Sequence, residues 1–211
     1  LTENCPKVVG PDWDVPMSPM LKTLAGGRTV LVFGTKPGEV QALDPDKQGE
    51  PAWHMNVVGP SATEEALRAN GGKNQGPIWG GAVDDSFAYF GLNAGGVAAV
   101  RLQDGQRIWY MPLSSTTEKK VAHSAAATVI PGVVFVGGSD GRLWALSSSS
   151  GQPLWSFDTA RTFDTINRVP AHGGSIIAAG PTVAGGMLFV GSGYGVVTES
   201  PGNVLLAFSG Q

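Results

Sequence analysis

Two acids flank a tryptophan in the stretch GPDWDVP, residues 10–16. Asp12 and Asp14 stand two residues apart, and Pro11 and Pro16 restrict the backbone on either side. Carboxylates this close can be held in different environments. One can stay solvated or cap a turn while the other enters a pocket with a raised pKa, the asymmetry that acid–base chemistry uses. The same residues also suit an Asx-turn beside a core tryptophan, and taken alone they leave both readings open. Lys36 follows in GTKPGEV (34–40), placed as a hairpin-turn residue, where a solvated lysine is the ordinary expectation. In GPIWGGAVDD (76–85), Trp79 precedes Gly80 and Gly81, an arrangement that lets a flat ligand approach the backbone closely.

Other reactive-looking residues carry less. His54, His123 and His172 lie 69 and 49 residues apart, which fits no local metal motif. The stretch GSGYG (191–195) lacks the GxGxxG spacing, the Walker lysine and the following helix of a phosphate loop, so it is expected to be a tight strand-to-strand turn. The sequence holds no G-x-S-x-G nucleophile elbow. Asp140 in GGSDGR and Asn93 in FGLNAGG are expected to be turn residues.

Composition narrows the classes. The 211 residues can bury one substantial core or form a modular array. Charged residues make up 15% and the net charge is -3, which gives neither a basic footprint for nucleic acid nor a polybasic segment for a membrane surface. No run of 18 apolar residues spans a bilayer, and no signal peptide is visible. A chain that begins with Leu1 reads as a processed product or a fragment. Cys5 is the single cysteine, so neither a disulfide framework within the chain nor a cysteine zinc cluster can form.

The elements that must position these residues come as a repeat. ALDPDKQGEPAW (42–53), AVRLQDGQRIW (99–109) and ALSSSSGQPLW (145–155) each place a glycine four residues ahead of a tryptophan: Gly49 and Trp53, Gly105 and Trp109, Gly151 and Trp155. Apolar strands ending in glycine precede them at LVFG (31–34), AYFG (88–91) and VFVG (134–137), and a fourth, LFVG (188–191), leads to NVLLAFSG without a tryptophan. Strand, Gly/Asp turn, strand is a hairpin pattern. The spacing therefore predicts an all-β chain of four-stranded antiparallel blades, a β-propeller with about four blades, approximately 12–59, 76–113, 121–158 and 174–211. Each repeated tryptophan is expected to lie between neighbouring blades as packing. Two insertions interrupt the pattern. Residues 60–77 carry Ser61 three ahead of Glu64, a capping-box spacing that predicts a short surface helix. Residues 159–174 are longer and more polar than a blade connection needs, and long loops on a rigid scaffold are where binding sites sit.

The Gly-x-x-x-Trp repeat resembles that of the pyrroloquinoline-quinone (PQQ) propellers. The ordered set NCPKVVGPDWDVPMSPML, GTKPGEVQALDPD, IWGGAVDD, HSAAATVIPGVVFVGGSDGRLWALS and GGSIIAAGPTVAGGMLFVGSGYG resembles the C-terminal half of quinoprotein alcohol dehydrogenases of the polyvinyl alcohol dehydrogenase type. That resemblance implies half of an eight-bladed propeller, PQQ and Ca²⁺ on its axis, and alcohol oxidation in the periplasm or outside the cell. It implies Asp14 as the general base and Lys36 as the contact to the quinone oxygens. Trp79 and Gly80 match a Trp-Gly near the cofactor, and Gly174 and Ser175 match a last-blade segment that approaches the site. No metal ligand is assigned within this chain, because the resemblance puts the calcium ligands in upstream blades. It also implies an upstream partner for Cys5. Pro16, where lanthanide-dependent relatives carry an acid, argues against a lanthanide site. A cytochrome c-type acceptor would reoxidise the cofactor. The competing expectation is a non-catalytic propeller of the same repeat acting as a protein-binding scaffold. A half propeller exposes two strand edges and a large inter-blade face, which predicts a homo-oligomer or a missing N-terminal half.

Overall fold

A computed structural model of the chain describes residues 13–58, 74–113, 120–194 and 200–210. Cys5, Asp12 and the helix expected around Ser61–Glu64 lie outside the described residues. Strands are numbered in chain order. The first sheet holds β1 (Met20–Thr23), β2 (Thr29–Gly34), β3 (Glu39–Asp44) and β4 (Glu50–Asn56). The second holds β5 (Gly81–Val83), β6 (Phe87–Gly91), β7 (Val97–Arg101) and β8 (Arg107–Met111). The third holds β9 (Thr128–Ile130), β10 (Val133–Gly137), β11 (Arg142–Ser147) and β12 (Pro153–Asp158). A small hairpin follows, β13 (Thr162–Phe163) with β14 (Ala171–His172), and then β15 (Thr182–Ala184), β16 (Met187–Ser192) and β17 (Val204–Ser209).

Every large sheet is an antiparallel meander in sequence order. Neighbouring sheets touch through their first strands, β1 to β5, β5 to β9 and β9 to β15, so these strands converge on a common axis. The all-β architecture of several four-stranded sheets around that axis fits a partial β-propeller. The fourth sheet departs from the expected pattern: it has three strands among the described residues, and β17 is followed by only two residues of sequence.

Period-two alternation explains the stacking. In β2 and β3 the buried residues Val30, Val32, Val40 and Ala42 face the second sheet, where they meet Ala88, Phe90, Ala98 and Val100. The alternate residues of the second sheet, Tyr89, Val97 and Ala99, meet Val134, Val136 and Leu146 of the third. Leu143 joins Ile176, Leu188 and Val190 between the third and fourth. A one-residue slip in any strand would reverse its face, so the alternation fixes the register.

The repeated tryptophans clamp one sheet to the next. Trp53 Nε1 donates to Leu102 O at 2.9 Å, and Trp109 Nε1 donates to Ser148 O at 3.0 Å. Each ring covers the turn glycine of the next sheet. A Cβ on Gly105 would stand 2.6 Å from the Trp53 ring, and one on Gly151 equally close to the Trp109 ring. Both glycines have φ near +75°, so this turn needs glycine for its backbone and for the ring above it.

His123 joins the second and third sheets. Its N–H donates to Leu92 O at 2.9 Å and its Nδ1 accepts from Gly96 N at 3.0 Å. Because Nδ1 accepts, the ring is neutral with its proton on Nε2. Burial holds its pKa at about 4, below the ordinary 6.5. The unfolded chain therefore takes up a proton at a pH where the folded chain does not. The stabilising contribution is complete above pH 6.5 and declines as the pH falls towards 4. Between pH 7 and 5 the loss from this one group is about 2 kcal/mol. In paired denaturant titrations the pH dependence of the wild type should exceed that of His123→Gln by that amount. Parallel curves would show that His123 is not the source.

Candidate active site

Asp14 and Lys36 meet. Residues 13–19 lead into β1, and the turn between β2 and β3 folds back over them, so Lys36 N–H donates to Asp14 O at 3.2 Å. The side chains pair at 3.0 Å between Lys36 Nζ and Asp14 Oδ1. The lysine side chain is 14% exposed and the carboxylate 54% exposed, so the cation is enclosed while the acid faces outward. Trp13 is 43% exposed, so it is not the core tryptophan of the turn reading, and the Asp14 carboxylate engages Lys36.

The lysine turn is tied to the second sheet. Lys36 O accepts from Gln75 N at 2.9 Å and from Gly76 N at 2.8 Å. Gly76 O in turn accepts from Asn93 N at 3.0 Å, and the Asn93 amide donates to Asn74 O at 2.7 Å. Lys36, Asn93 and Ser139 each fall two residues after the glycine that ends the second strand of their sheet, Gly34, Gly91 and Gly137. Asn93 is a turn residue, as the sequence suggests, but its turn is the counterpart of the one that carries Lys36. The shared offset from the strand-ending glycine was the signal for that equivalence.

Gly76 makes this packing possible. A Cβ there would overlap the Thr35 carbonyl oxygen and stand 2.6 Å from Gly38 Cα, both backbone. Gly76→Ala should therefore push the lysine turn off the second sheet and cost about 1–3 kcal/mol. Chemical denaturation would measure the cost. An alanine variant of unchanged stability would show that the turn can move freely.

The remaining residues of interest occupy neighbouring segments. Trp79 is 45% exposed, and its N–H donates to Ser124 O at 3.3 Å. Gly80, at φ +152°, packs against Ala126. Gly174 and Ser175 are buried at the joint of the third and fourth sheets. Ser175 Oγ donates to Ser139 O at 2.5 Å and accepts from Ser200 N at 3.1 Å, and Gly174 N donates to Ser192 Oγ at 2.9 Å. Their bonds thus run to the third and fourth sheets, whereas Asp14 and Lys36 contact each other. Among the described residues no group of three or more His, Cys, Asp or Glu side chains is placed to hold a metal ion.

Two loops differ from expectation or extend it. GSGYG does not form a tight turn: the connection from β16 to β17 runs from 193 to 203, and Gly202 N–H donates to Gly193 O at 2.9 Å to close its base. The 159–174 insertion folds into the β13–β14 hairpin, with the Arg161 guanidinium 4.7 Å from the Phe157 ring and 5.0 Å from Phe163. Among the described residues no helix is long and apolar enough to cross a membrane.

A profile of the family described as outer membrane protein assembly factor BamB matches residues 16–156. A polyvinylalcohol dehydrogenase of Pseudomonas sp is 39% identical over 98% of this chain and 34% of its own length. A second polyvinylalcohol dehydrogenase, from Sphingopyxis sp. strain 113P3, is 31% identical over the same shares. The chain thus spans about a third of the length of the curated relatives it matches. Quinohemoprotein alcohol dehydrogenase from Comamonas testosteroni superimposes with a TM-score of 0.65 at 15% identity, over 87% of this chain and 30% of that one. That likeness is one of fold.

Proposed function

We propose that this chain, which belongs to the PQQ-type propeller family described as outer membrane protein assembly factor BamB, serves a PQQ-dependent alcohol dehydrogenase of the polyvinyl alcohol type. The observation that carries the proposal is the Asp14–Lys36 pair, a half-exposed carboxylate backed by an enclosed ammonium. A planar, acidic quinone needs a cation for its oxygens and a flat wall for its ring. Lys36 and the half-exposed Trp79 match those needs, with Gly80 next to the tryptophan. Gly174 and Ser175 would bound the site on the fourth-sheet side. Bound PQQ supplies a two-electron acceptor for the hydride of the alcohol, and Ca²⁺, held by residues outside this chain, supplies Lewis acidity. In this reading Asp14 takes the hydroxyl proton of the alcohol. Lys36 holds Asp14 Oδ1 and leaves Oδ2 to the substrate. Polyvinyl alcohol or another secondary alcohol would be the substrate. A cytochrome c-type protein would be the electron acceptor, and the setting would be periplasmic or secreted.

A scaffold reading draws on the description of the matching family. A scaffold needs the blade glycines and tryptophans, but it gives no reason for an acid–lysine pair, and Asp14 lies just outside the matched span. The test is titration of the full-length protein, and of this chain supplied with the upstream part, with PQQ and Ca²⁺. Secondary alcohols and a dye acceptor then follow turnover. Saturable PQQ binding that weakens in Lys36→Met supports the dehydrogenase. Absence of PQQ binding with the upstream part present would overturn it.

A further inference from the structure

The segment that carries Asp14 is tied to its own sheet by a methionine. Antiparallel pairing of β1 with β2 starts at Met20 opposite Val32, although β2 runs on to Gly34, two residues before Lys36. Continued in the same register, the ladder would set Ser18 opposite Gly34, but Pro16 and Pro19 have no N–H to donate and regular pairing stops. Thr35 N–H donates to Glu39 O on the β3 side, so by alternation Gly34 N–H points to the β1 side. The acceptor it meets there is a thioether: Gly34 N–H donates to Met17 Sδ at 3.2 Å. Met17 is 5% exposed and lies in the core between the first two sheets with Val30, Val32 and Leu92. Sulfur is a weak acceptor, but a buried N–H with no acceptor at all is costly, so this bond bears on where the segment settles.

Met17 and Asp14 are successive anchors of one short segment. Asp14 O accepts from Lys36 N–H at 3.2 Å, and Asp14 Oδ1 meets Lys36 Nζ at 3.0 Å. Pro16 fixes one of the few backbone angles between the two anchors, which limits how far Asp14 can move while Met17 stays in place. The strand end beneath them is enclosed. A Cβ on Gly34 would overlap Pro77 and stand 3.4 Å from Met17 Sδ, so Gly34 lies closely between the two. Lys36 is held from another direction, because its carbonyl accepts from Gln75 N–H and Gly76 N–H.

We propose that Met17 is a positioning residue for Asp14: its thioether takes the ladder bond that the proline-interrupted segment does not supply, and so sets the acid beside Lys36. The segment before the second sheet fixes the cation and Met17 fixes the acid, two supports that can be disturbed separately. The inference rests on the reading of Asp14 as the base. A base must meet the hydroxyl proton within hydrogen-bond reach, and a displacement near 1 Å, caused away from the chemistry, can cost about 10²-fold. Loss of the Met17 acceptor should therefore appear in kcat and leave PQQ affinity, which depends on Lys36, in place.

Two variants separate positioning from packing. Met17→Leu nearly conserves the apolar volume and removes the acceptor. Met17→Gln keeps an acceptor on a side chain of similar length, but it buries an amide NH2 in the core and should lower stability more. In the full-length protein supplied with PQQ and Ca²⁺, kcat should fall about tenfold in Met17→Leu and clearly less in Met17→Gln. Urea denaturation should rank the two variants the other way. PQQ affinity should match wild type in both. Amide exchange at Gly34, measured without cofactor, should quicken in Met17→Leu. A kcat that follows stability would make Met17 a packing residue and overturn the inference. Wild-type kcat or wild-type Gly34 exchange in Met17→Leu, with Asp14→Asn inactive, would overturn it while leaving the dehydrogenase reading intact. No turnover by wild type, or an Asp14→Asn variant as active as wild type, would overturn the base reading and the inference with it.

Discussion

Replacing Asp14 with asparagine should lower kcat of the assembled dehydrogenase by about 10²–10⁴-fold, the usual contribution of a positioned general base. The substitution is nearly isosteric, and the backbone bond from Lys36 N–H to Asp14 O does not involve the side chain. The turn geometry should therefore survive, while an amide oxygen cannot take up the hydroxyl proton. PQQ affinity should hold or rise, because Lys36 loses its anionic partner and keeps its charge for the quinone oxygens. Lys36→Met should reverse the pattern. Cofactor binding should weaken first, and turnover at saturating PQQ should fall less than in Asp14→Asn. Dye-linked steady-state rates together with PQQ titration separate the two effects. A kcat unchanged in Asp14→Asn would remove the acid from the chemistry and leave the pair as a structural clip.

The features that repeat were the legible ones. Alternation in TVLVFG and VVFVG, with Gly-x-x-x-Trp at a fixed offset, specifies strand, turn and inter-sheet clamp in the same few residues. The pairing of Asp14 with Lys36 was not legible, because contact between a segment before β1 and the turn after β2 depends on how the hairpin folds back. Single-position chemistry was less visible. Nothing local distinguishes His123 from an exposed histidine, since its burial comes from two turns brought together by different sheets. The same holds for Ser175, whose hydroxyl is committed to partners at Ser139 and Ser200. GSGYG misled because Gly193 does bend the chain, but its closing partner, Gly202, lies nine residues downstream. Loop length was the missing quantity, and turn residues do not encode it.

Trp53→Ala and Trp155→Ala should differ sharply in cost although both residues occupy the same repeat position. Trp53 is almost wholly buried, donates to Leu102 O and covers Gly105. Its removal opens a cavity between the first two sheets and orphans a buried carbonyl, at about 3–5 kcal/mol. Trp155 is 40% exposed and its contacts are with Phe157 and Phe208. Those rings are worth about 0.5–1.5 kcal/mol per pair beyond area, and the site can collapse, so the loss should stay near 1–2 kcal/mol. Trp109, with its bond to Ser148 O, should resemble Trp53. Urea denaturation of the three variants measures the series. Equal costs for all three in the free chain would mean that the tryptophans act within their own sheets, and the clamp between sheets would have to lie elsewhere.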